Sequence, residues 1–186
     1  MEALLVSTAV VAVAEIGDKT QLLALVLACR FLAPLAVTLG ILFATLANHA
    51  VAGFAGAWVA SAVDPAIMRW ALGLSFLAVA AWALIPDKLD NNEEPKKLTR
   101  FGPFLTTLVA FFLVEIGDKT QIATVGLAIR FDELAFVVIG TTLGMLIANV
   151  PVVYFGDGIA KRLPLKFVRL AAAAIFAVLG LSVLIG

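Results

Sequence analysis

The sequence predicts an all-α integral membrane protein in which six transmembrane helices form two inverted three-helix repeats. Three observations predict this fold class: a mean hydropathy of +1.10 with only 14% charged residues, apolar runs of about twenty residues or more, and a motif that occurs twice. Charged residues make up about a quarter of an ordinary soluble chain, so a surface that faces water throughout is excluded. Each apolar run is long enough to cross a hydrocarbon core of about 30 Å as a helix.

Apolar runs between polar or proline-containing breaks predict helices at about 3–29, 34–60, 66–85, 103–129, 134–155 and 166–185. The stretch at 86–100 has the proline, asparagine and charge content of a solvated loop. It separates a first three-helix repeat, 1–85, from a second, 101–186. The amino end carries Glu2 and no Lys or Arg, which argues against a cleaved signal peptide, so we expect the first helix to remain in the mature protein.

A shift of about one hundred residues superposes the two halves. The sequence EIGDKTQ at 15–21 recurs at 115–121, and Ala47-Asn48 recurs at Ala148-Asn149 after a slip of one residue. Because three helices are an odd number, the second half must enter the membrane from the opposite side. The halves are then an inverted-topology repeat, an architecture that many secondary transporters use.

The basic residues predict how the protein lies in the cytoplasmic membrane. Two arginine pairs related by the repeat fall on opposite faces and cancel, whereas the remaining basic loop residues share one face: Lys88, Lys96, Lys97, Arg100, Lys161, Arg162 and Lys166. An excess of Lys and Arg marks the cytoplasmic side. We therefore expect the loop 86–100 in the cytoplasm and both termini outside. A net charge of zero gives no reason to expect a nucleic acid partner.

The repeated motif places charged side chains inside the predicted membrane spans. Its charged members are Glu15, Asp18 and Lys19, midway along the first helix, and Glu115, Asp118 and Lys119, midway along the fourth. One Asp or Lys at the centre of a lipid-exposed helix costs about 2.5–3.5 kcal/mol, so these residues should face the bundle interior and mark a function. Helical spacing would pair Glu15 with Lys19, while Gly17 and Gly117 would permit a kink or a close approach.

We expect the pseudo-twofold symmetry to bring the two motifs together in the middle of the bilayer, with the four carboxylates as metal ligands. The predicted supporting residues are Thr20, Gln21, Thr120, Gln121, Asn48 and Asn149, together with the two lysines and the two glycines. An all-oxygen set suits hard cations such as Ca²⁺, Mn²⁺ or Mg²⁺. Four carboxylates and two lysines sum to minus two, which one divalent cation or two protons would balance. This predicts exchange of a cation for protons, with no resident cofactor.

Several alternatives stay open at this stage. Buried ion pairs can simply join helices, and Asn48 and Asn149 can form interhelical hydrogen bonds. His49 has Val150 in its place in the second half, so we interpret it as a core residue, with a proton relay as the alternative. An exporter of small solutes, an intramembrane metal-dependent enzyme and a structural subunit are other classes. The duplicated charged motif disfavours the last, and the absence of an arginine cluster beside it disfavours the enzyme.

The segments EIGDKT at 15–20 and 115–120 resemble the doubled E-x-G-D-[KR]-[ST] signature of the Gdt family of cation/proton exchangers. The resemblance covers the whole chain and implies that Glu15, Asp18, Glu115 and Asp118 bind the cation. It implies supporting roles for the Lys-Thr pairs at 19–20 and 119–120. Because members of this family are implicated in Mn²⁺ and Ca²⁺ transport, it further implies Mn²⁺ export from the cytoplasm against protons, with Ca²⁺/H⁺ exchange as the alternative. The oligomeric state does not follow from the sequence.

Overall fold

The structure is a computed structural model, and it describes residues 1–86, 101–156 and 164–185. Eight helices lie within these ranges: α1 (Glu2–Glu15), α2 (Lys19–Phe31), α3 (Pro34–Ala62), α4 (Pro65–Ala83), α5 (Gly102–Glu115), α6 (Lys119–Phe131), α7 (Leu134–Phe155) and α8 (Leu165–Ile185). The predicted loop 86–100, apart from its first residue, lies outside the described residues, and so do the basic residues Lys88, Lys96, Lys97, Arg100, Lys161 and Arg162.

The surface of the bundle is that of a membrane protein. Four helices, α3, α4, α7 and α8, are long and apolar enough to cross a bilayer. Large apolar side chains such as Trp58, Phe155 and Phe167 are exposed on the outside of the bundle. In water such a surface would drive aggregation, whereas in lipid it is the expected one. The prediction of an all-helical membrane protein is confirmed at this level.

The first and fourth predicted helices are each interrupted at the motif. In the first half α1 ends at Glu15 and α2 begins at Lys19, and in the second half α5 ends at Glu115 and α6 begins at Lys119. The sequence left open whether these two helices are kinked or broken, and the structure shows that both are broken at the motif. The pairing of Glu15 with Lys19 across one helical turn is not supported, because the helix ends between them. The other four predicted helices begin and end within two residues of their expected bounds.

The local sequence explains the interruption. Gly17 has a φ of +82° and Gly117 a φ of +79°, a left-handed conformation that glycine adopts without a steric penalty. Ile16 and Asp18 on either side of Gly17 are extended, so the backbone leaves the helix for three residues. The Asp18 carboxylate then accepts a hydrogen bond of 2.8 Å from the Lys19 N–H and caps the start of α2. A glycine that ends one helix and an aspartate that begins the next account for the break.

Helices of one half pack chiefly against helices of the other. The α1 helix lies along α7 as α5 lies along α3, and α4 lies along α8. Phe76 and Phe176, which are equivalent under the hundred-residue shift, are buried and stack with ring centroids 6.4 Å apart. A Cβ atom at Gly40 would lie 2.6 Å from the Thr107 side chain, and one at Gly140 would lie 2.6 Å from a backbone oxygen of α1. This close packing between the halves brings the two interrupted helices to one place.

Candidate cation site

Three carboxylates from the two motifs meet inside the bundle. One oxygen from each of Glu15, Glu115 and Asp118 lies within 4.8 Å of the others, and all three residues are at most 1% exposed. We call this group the carboxylate triad. Because metal–oxygen distances are about 2.0–2.6 Å, two ligand atoms of one ion lie at most about 5 Å apart. The triad therefore has the dimensions of a site for one cation, and both halves of the chain contribute to it.

Each member of the triad has a buried oxygen with no hydrogen-bond partner among the described residues: Glu15 Oε1, Glu115 Oε1 and Asp118 Oδ1. Asp118 Oδ1 lies 3.5 Å from the Lys19 ammonium. A buried carboxylate oxygen that lacks a compensating partner costs several kcal/mol. A divalent cation bound by the triad would compensate the charges of these carboxylates. The donor set thus suits a hard cation as the transported substrate.

The two lysines cross between the halves. The Lys119 ammonium donates to Asp18 Oδ1 at 3.0 Å, and the Lys19 ammonium lies 3.5 Å from Asp118 Oδ1. Of the four predicted ligands, three form the triad, and Asp18 lies beside them with one oxygen bound to Lys119. These ion pairs replace the pairing within one helix that the sequence suggested. They also tie the start of α2 to the start of α6.

Two threonines orient the glutamates of the triad. The Thr20 hydroxyl donates to Glu15 Oε2, and the Thr120 hydroxyl lies 3.3 Å from Glu115 Oε2 and 3.2 Å from Asp118 Oδ2. Both threonines are fully buried. In each glutamate the hydroxyl engages one carboxylate oxygen, and the other oxygen is the one without a partner. The threonines therefore act through the carboxylates by holding one oxygen of each glutamate in place.

The two glutamines stabilise the helix breaks. Gln21 Oε1 accepts a hydrogen bond of 3.0 Å from the Gly17 N–H, and Gln121 Oε1 accepts one of 2.7 Å from the Gly117 N–H. Backbone N–H groups at an interruption need such partners, because the helical ones are lost there. The Gln21 amide also donates to the Ala148 carbonyl at 2.8 Å and so ties α2 to α7. Their side-chain oxygens were predicted to face the cation, but they bind the backbone of the breaks.

The two asparagines have different partners. Asn48 donates to the Phe112 carbonyl at 3.1 Å and accepts a hydrogen bond from Gln121, so it connects α3 with α5 and α6. Asn149 donates to the Met145 carbonyl at 3.0 Å within its own helix. The Asn149 amide oxygen is buried and has no hydrogen-bond partner in the described part of the chain. Asn48 therefore forms interhelical hydrogen bonds. The Asn149 oxygen remains available as a cation ligand.

The structure places His49 beside the triad, which the sequence did not predict. The residue is fully buried, and its Nε2 lies 3.9 Å from Glu115 Oε2. Its position next to Asn48 on α3 was the available signal. Because Val150 replaces it in the second half, the repeat argument assigned it to packing.

The two breaks differ in how they are covered. A Cβ atom at Gly17 would lie 2.6 Å from the Leu165 side chain of α8, whereas one at Gly117 would meet no atom of the described residues within 4 Å. Ile116 beside Gly117 is 56% exposed. The four motif acids themselves are buried, so the site is closed to solvent in this conformation, with the thinner cover at the second break.

Comparisons with known proteins identify the family of the chain. A family model described as the divalent cation/proton antiporter GDT1 matches residues 3–91 and 103–186. A Vibrio cholerae protein named "Putative manganese exporter" is 49% identical over 98% of this chain and 90% of its own length. A rice protein named GDT1-like protein 3 is 27% identical over 98% of this chain and 72% of its own length. No solved structure matches the chain significantly. The chain belongs to the GDT1 family of divalent cation/proton antiporters.

Proposed function

We propose that the protein exports Mn²⁺ from the cytoplasm in exchange for protons, with Glu15, Asp18, Glu115 and Asp118 as the cation-binding acids. The observation that carries this proposal is the carboxylate triad, because it is buried, sized for one ion and built from both halves. The 49% identity to a protein named for manganese export supports Mn²⁺ as the cargo. The cation is then the substrate, and no resident cofactor is needed.

Charge balance supports exchange over simple binding. The four motif acids contribute minus four and the two motif lysines plus two, so the buried site has a formal charge of minus two. An unbalanced charge of this size in a bundle within lipid is costly. One divalent cation or two protons would neutralise it, so the two substrates compete for the same carboxylates. Such competition is the requirement for an antiporter.

The transport cycle follows from this competition. Protons that enter from outside would neutralise carboxylates of the site and release the cation outward. Loss of the protons to the cytoplasm would restore the charge and let the next cation bind. Thr20 and Thr120 would hold the glutamates in position during both steps, because a hydroxyl bonds either form of a carboxyl group.

We further propose that 1–85 and 101–186 are inverted three-helix repeats joined by a cytoplasmic linker at 86–100. If α1 with α2 and α5 with α6 each make one crossing, each half crosses the membrane three times. Substrate sites at broken helices between inverted repeats are typical of secondary transporters. Motion of one repeat against the other would then open the site to alternate sides. The unequal cover at Gly17 and Gly117 is consistent with such a two-sided site.

The topology can be checked with single cysteines. In a Cys29→Ser background, a cysteine at Ala62 is expected to react with a membrane-impermeant maleimide in intact cells. A cysteine at Lys97 should react only after the cells are permeabilised, because it lies in the predicted cytoplasmic loop. The reverse labelling pattern, or labelling of both positions in intact cells, would disprove the orientation. The parent Cys29→Ser protein gives the background.

Antiport is tested by reconstitution into liposomes that contain a pH-sensitive dye. Addition of external Mn²⁺ is expected to drive Mn²⁺ inward and protons outward, so the lumen becomes alkaline at a rate that follows Mn²⁺ entry. Protein-free liposomes are the control. Parallel additions of Ca²⁺ and Mg²⁺ rank the three ions. Entry of Mn²⁺ with no change of lumenal pH would contradict the exchange, and a larger rate with Ca²⁺ would contradict the choice of cargo.

A further inference from the structure

His49 is the one histidine of the chain, and it is buried on α3. Val150 stands at the equivalent place of the second half, so the residue breaks the symmetry that relates the two motifs. A residue present in one half alone is not needed to close the fold through repeat packing. Its position must be explained by its own contacts.

Those contacts are unusual for a buried histidine. The Nε2 atom lies 3.9 Å from Glu115 Oε2, and neither ring nitrogen has a hydrogen-bond partner among the described residues. Buried polar groups are nearly always hydrogen-bonded, because an unmatched donor or acceptor costs about 1–3 kcal/mol. An imidazole with two unmatched nitrogens beside a carboxylate that also has an unmatched oxygen points to a shared ligand between them.

The distance is right for a cation bound to both groups. Two atoms that bind one ion at about 2.0–2.6 Å are separated by at most about 5 Å. The 3.9 Å between His49 Nε2 and Glu115 Oε2 lies within that limit and is too long for a direct hydrogen bond. Thus an ion bound by Glu115 would have His49 within reach as a further ligand.

We propose that His49 coordinates the transported ion through a ring nitrogen and makes the site prefer Mn²⁺ to Ca²⁺ and Mg²⁺. The inference rests on the proposed function. Carboxylates alone barely distinguish these ions, because all three accept oxygen ligands. Imidazole nitrogen binds the divalent first-row transition metals, of which Mn²⁺ is the weakest binder, whereas Ca²⁺ and Mg²⁺ take oxygen ligands. One nitrogen ligand in an otherwise oxygen-rich site therefore gives Mn²⁺ an additional favourable bond. Ca²⁺ and Mg²⁺ gain little from the same ligand.

Pulsed electron paramagnetic resonance of Mn²⁺ bound to the purified protein tests coordination directly. Mn²⁺ is paramagnetic, and a nitrogen nucleus bound to it produces a hyperfine coupling in the spectrum. This coupling differs between ¹⁴N and ¹⁵N. Protein made with ¹⁵N-labelled histidine, and purified without a histidine tag, should show the ¹⁵N coupling. The assignment is unambiguous because the chain has one histidine. A Mn²⁺ signal without nitrogen coupling from the labelled histidine would overturn the proposal, and this test needs no mutant.

Transport kinetics test the preference. In His49→Ala the KM for Mn²⁺ is expected to rise about tenfold while the KM for Ca²⁺ changes less than about twofold, so the selectivity ratio falls about tenfold, equivalent to about 1.4 kcal/mol. His49→Gln, which keeps a polar side chain of similar reach, should show the same loss of selectivity. Equal changes for both ions would mean that His49 only supports the fold. An unchanged ratio in both variants would also refute the proposal.

Thr142→Val is the matched control, because Thr142 is a buried polar residue whose hydroxyl also lacks a hydrogen-bond partner in the described structure. Its selectivity ratio should equal that of the unmodified protein.

The experiments separate the two proposals. If the unmodified protein moves no Mn²⁺, the proposed function fails. If it moves Mn²⁺ but shows neither the histidine coupling nor the change in ratio, the inference about His49 fails alone.

Discussion

Replacement of Glu15 by Gln, or of Glu115 by Gln, is expected to reduce Mn²⁺ transport by at least about a hundredfold while the protein still inserts and folds. The amide keeps the size of the side chain and can still accept the hydrogen bond from Thr20 or Thr120. It removes one of the negative charges that attract the cation, and it removes a carboxylate that a proton can neutralise. At about 1.4 kcal/mol per tenfold, a hundredfold loss corresponds to about 3 kcal/mol, a modest figure for a buried charge lost from a metal site.

The measurement is initial Mn²⁺ uptake by proteoliposomes, normalised to the amount of folded protein. Glu2→Gln is the matched control, since it makes the same chemical change at an exposed position in the first turn of α1 and should retain full activity. Unfolding temperatures of the variants in detergent should stay at or above that of the unmodified protein, because a buried negative charge is removed. Substantial Mn²⁺ transport by both glutamine variants would refute the assignment of the triad as the cation site.

Replacement of Lys119 by Met is expected to destabilise the protein strongly. The Lys119 ammonium is buried and lies 3.0 Å from the buried Asp18 carboxylate. Methionine fills a similar volume, but it leaves the Asp18 charge without this partner, and loss of one member of a buried ion pair costs about 3–5 kcal/mol. Lys19→Met, which removes the equivalent residue of the other half, should cost less, because the Lys19 side chain is 19% exposed and lies 3.5 Å from Asp118.

The free energy of unfolding is measured by denaturant unfolding in detergent micelles. It is compared among the two single variants and the Asp18→Asn/Lys119→Met double variant. The double variant should recover much of the stability, because it removes both charges together. It should not recover transport, because it removes Asp18, one of the four proposed cation-binding acids. Equal losses in Lys19→Met and Lys119→Met would contradict the greater contribution expected from the Lys119–Asp18 pair. No recovery in the double variant would show that this ion pair does not hold the two halves together.

Local rules read along the sequence failed at the motif for an identifiable reason. Hydropathy averages over a window of about twenty residues, so it reports a span across 3–29 whether or not the helix is continuous. The break at 16–18 depends on a glycine in the left-handed region and an aspartate that caps the next helix. Both residues are visible in the sequence as helix stop and start signals, but these signals alone do not distinguish a kinked helix from a broken one.

The partners of the charged residues could not be predicted in the same way. Lys119 pairs with Asp18, 101 positions earlier, rather than with a residue one helical turn away. Such a contact depends on how the halves pack, and the repeat indicates only that the two motifs are equivalent. The same limit applies to His49, whose position beside the triad could not be predicted because it has no counterpart in the repeat. The packing of α3 brings it to within 3.9 Å of Glu115.

The sequence by itself determined the class of protein. Hydropathy is a sum over residues, and the duplication is found by aligning one half of the sequence with the other, so neither requires the tertiary structure. It also singled out the acids that the structure brings together, since carboxylates inside a membrane span are costly and are expected to have a function. The tertiary structure decided which oxygens face each other, which lysine neutralises which acid, and that a histidine adjoins the triad. These are contacts between residues far apart in the chain, and their distances are set by the packing of helices rather than by any local pattern.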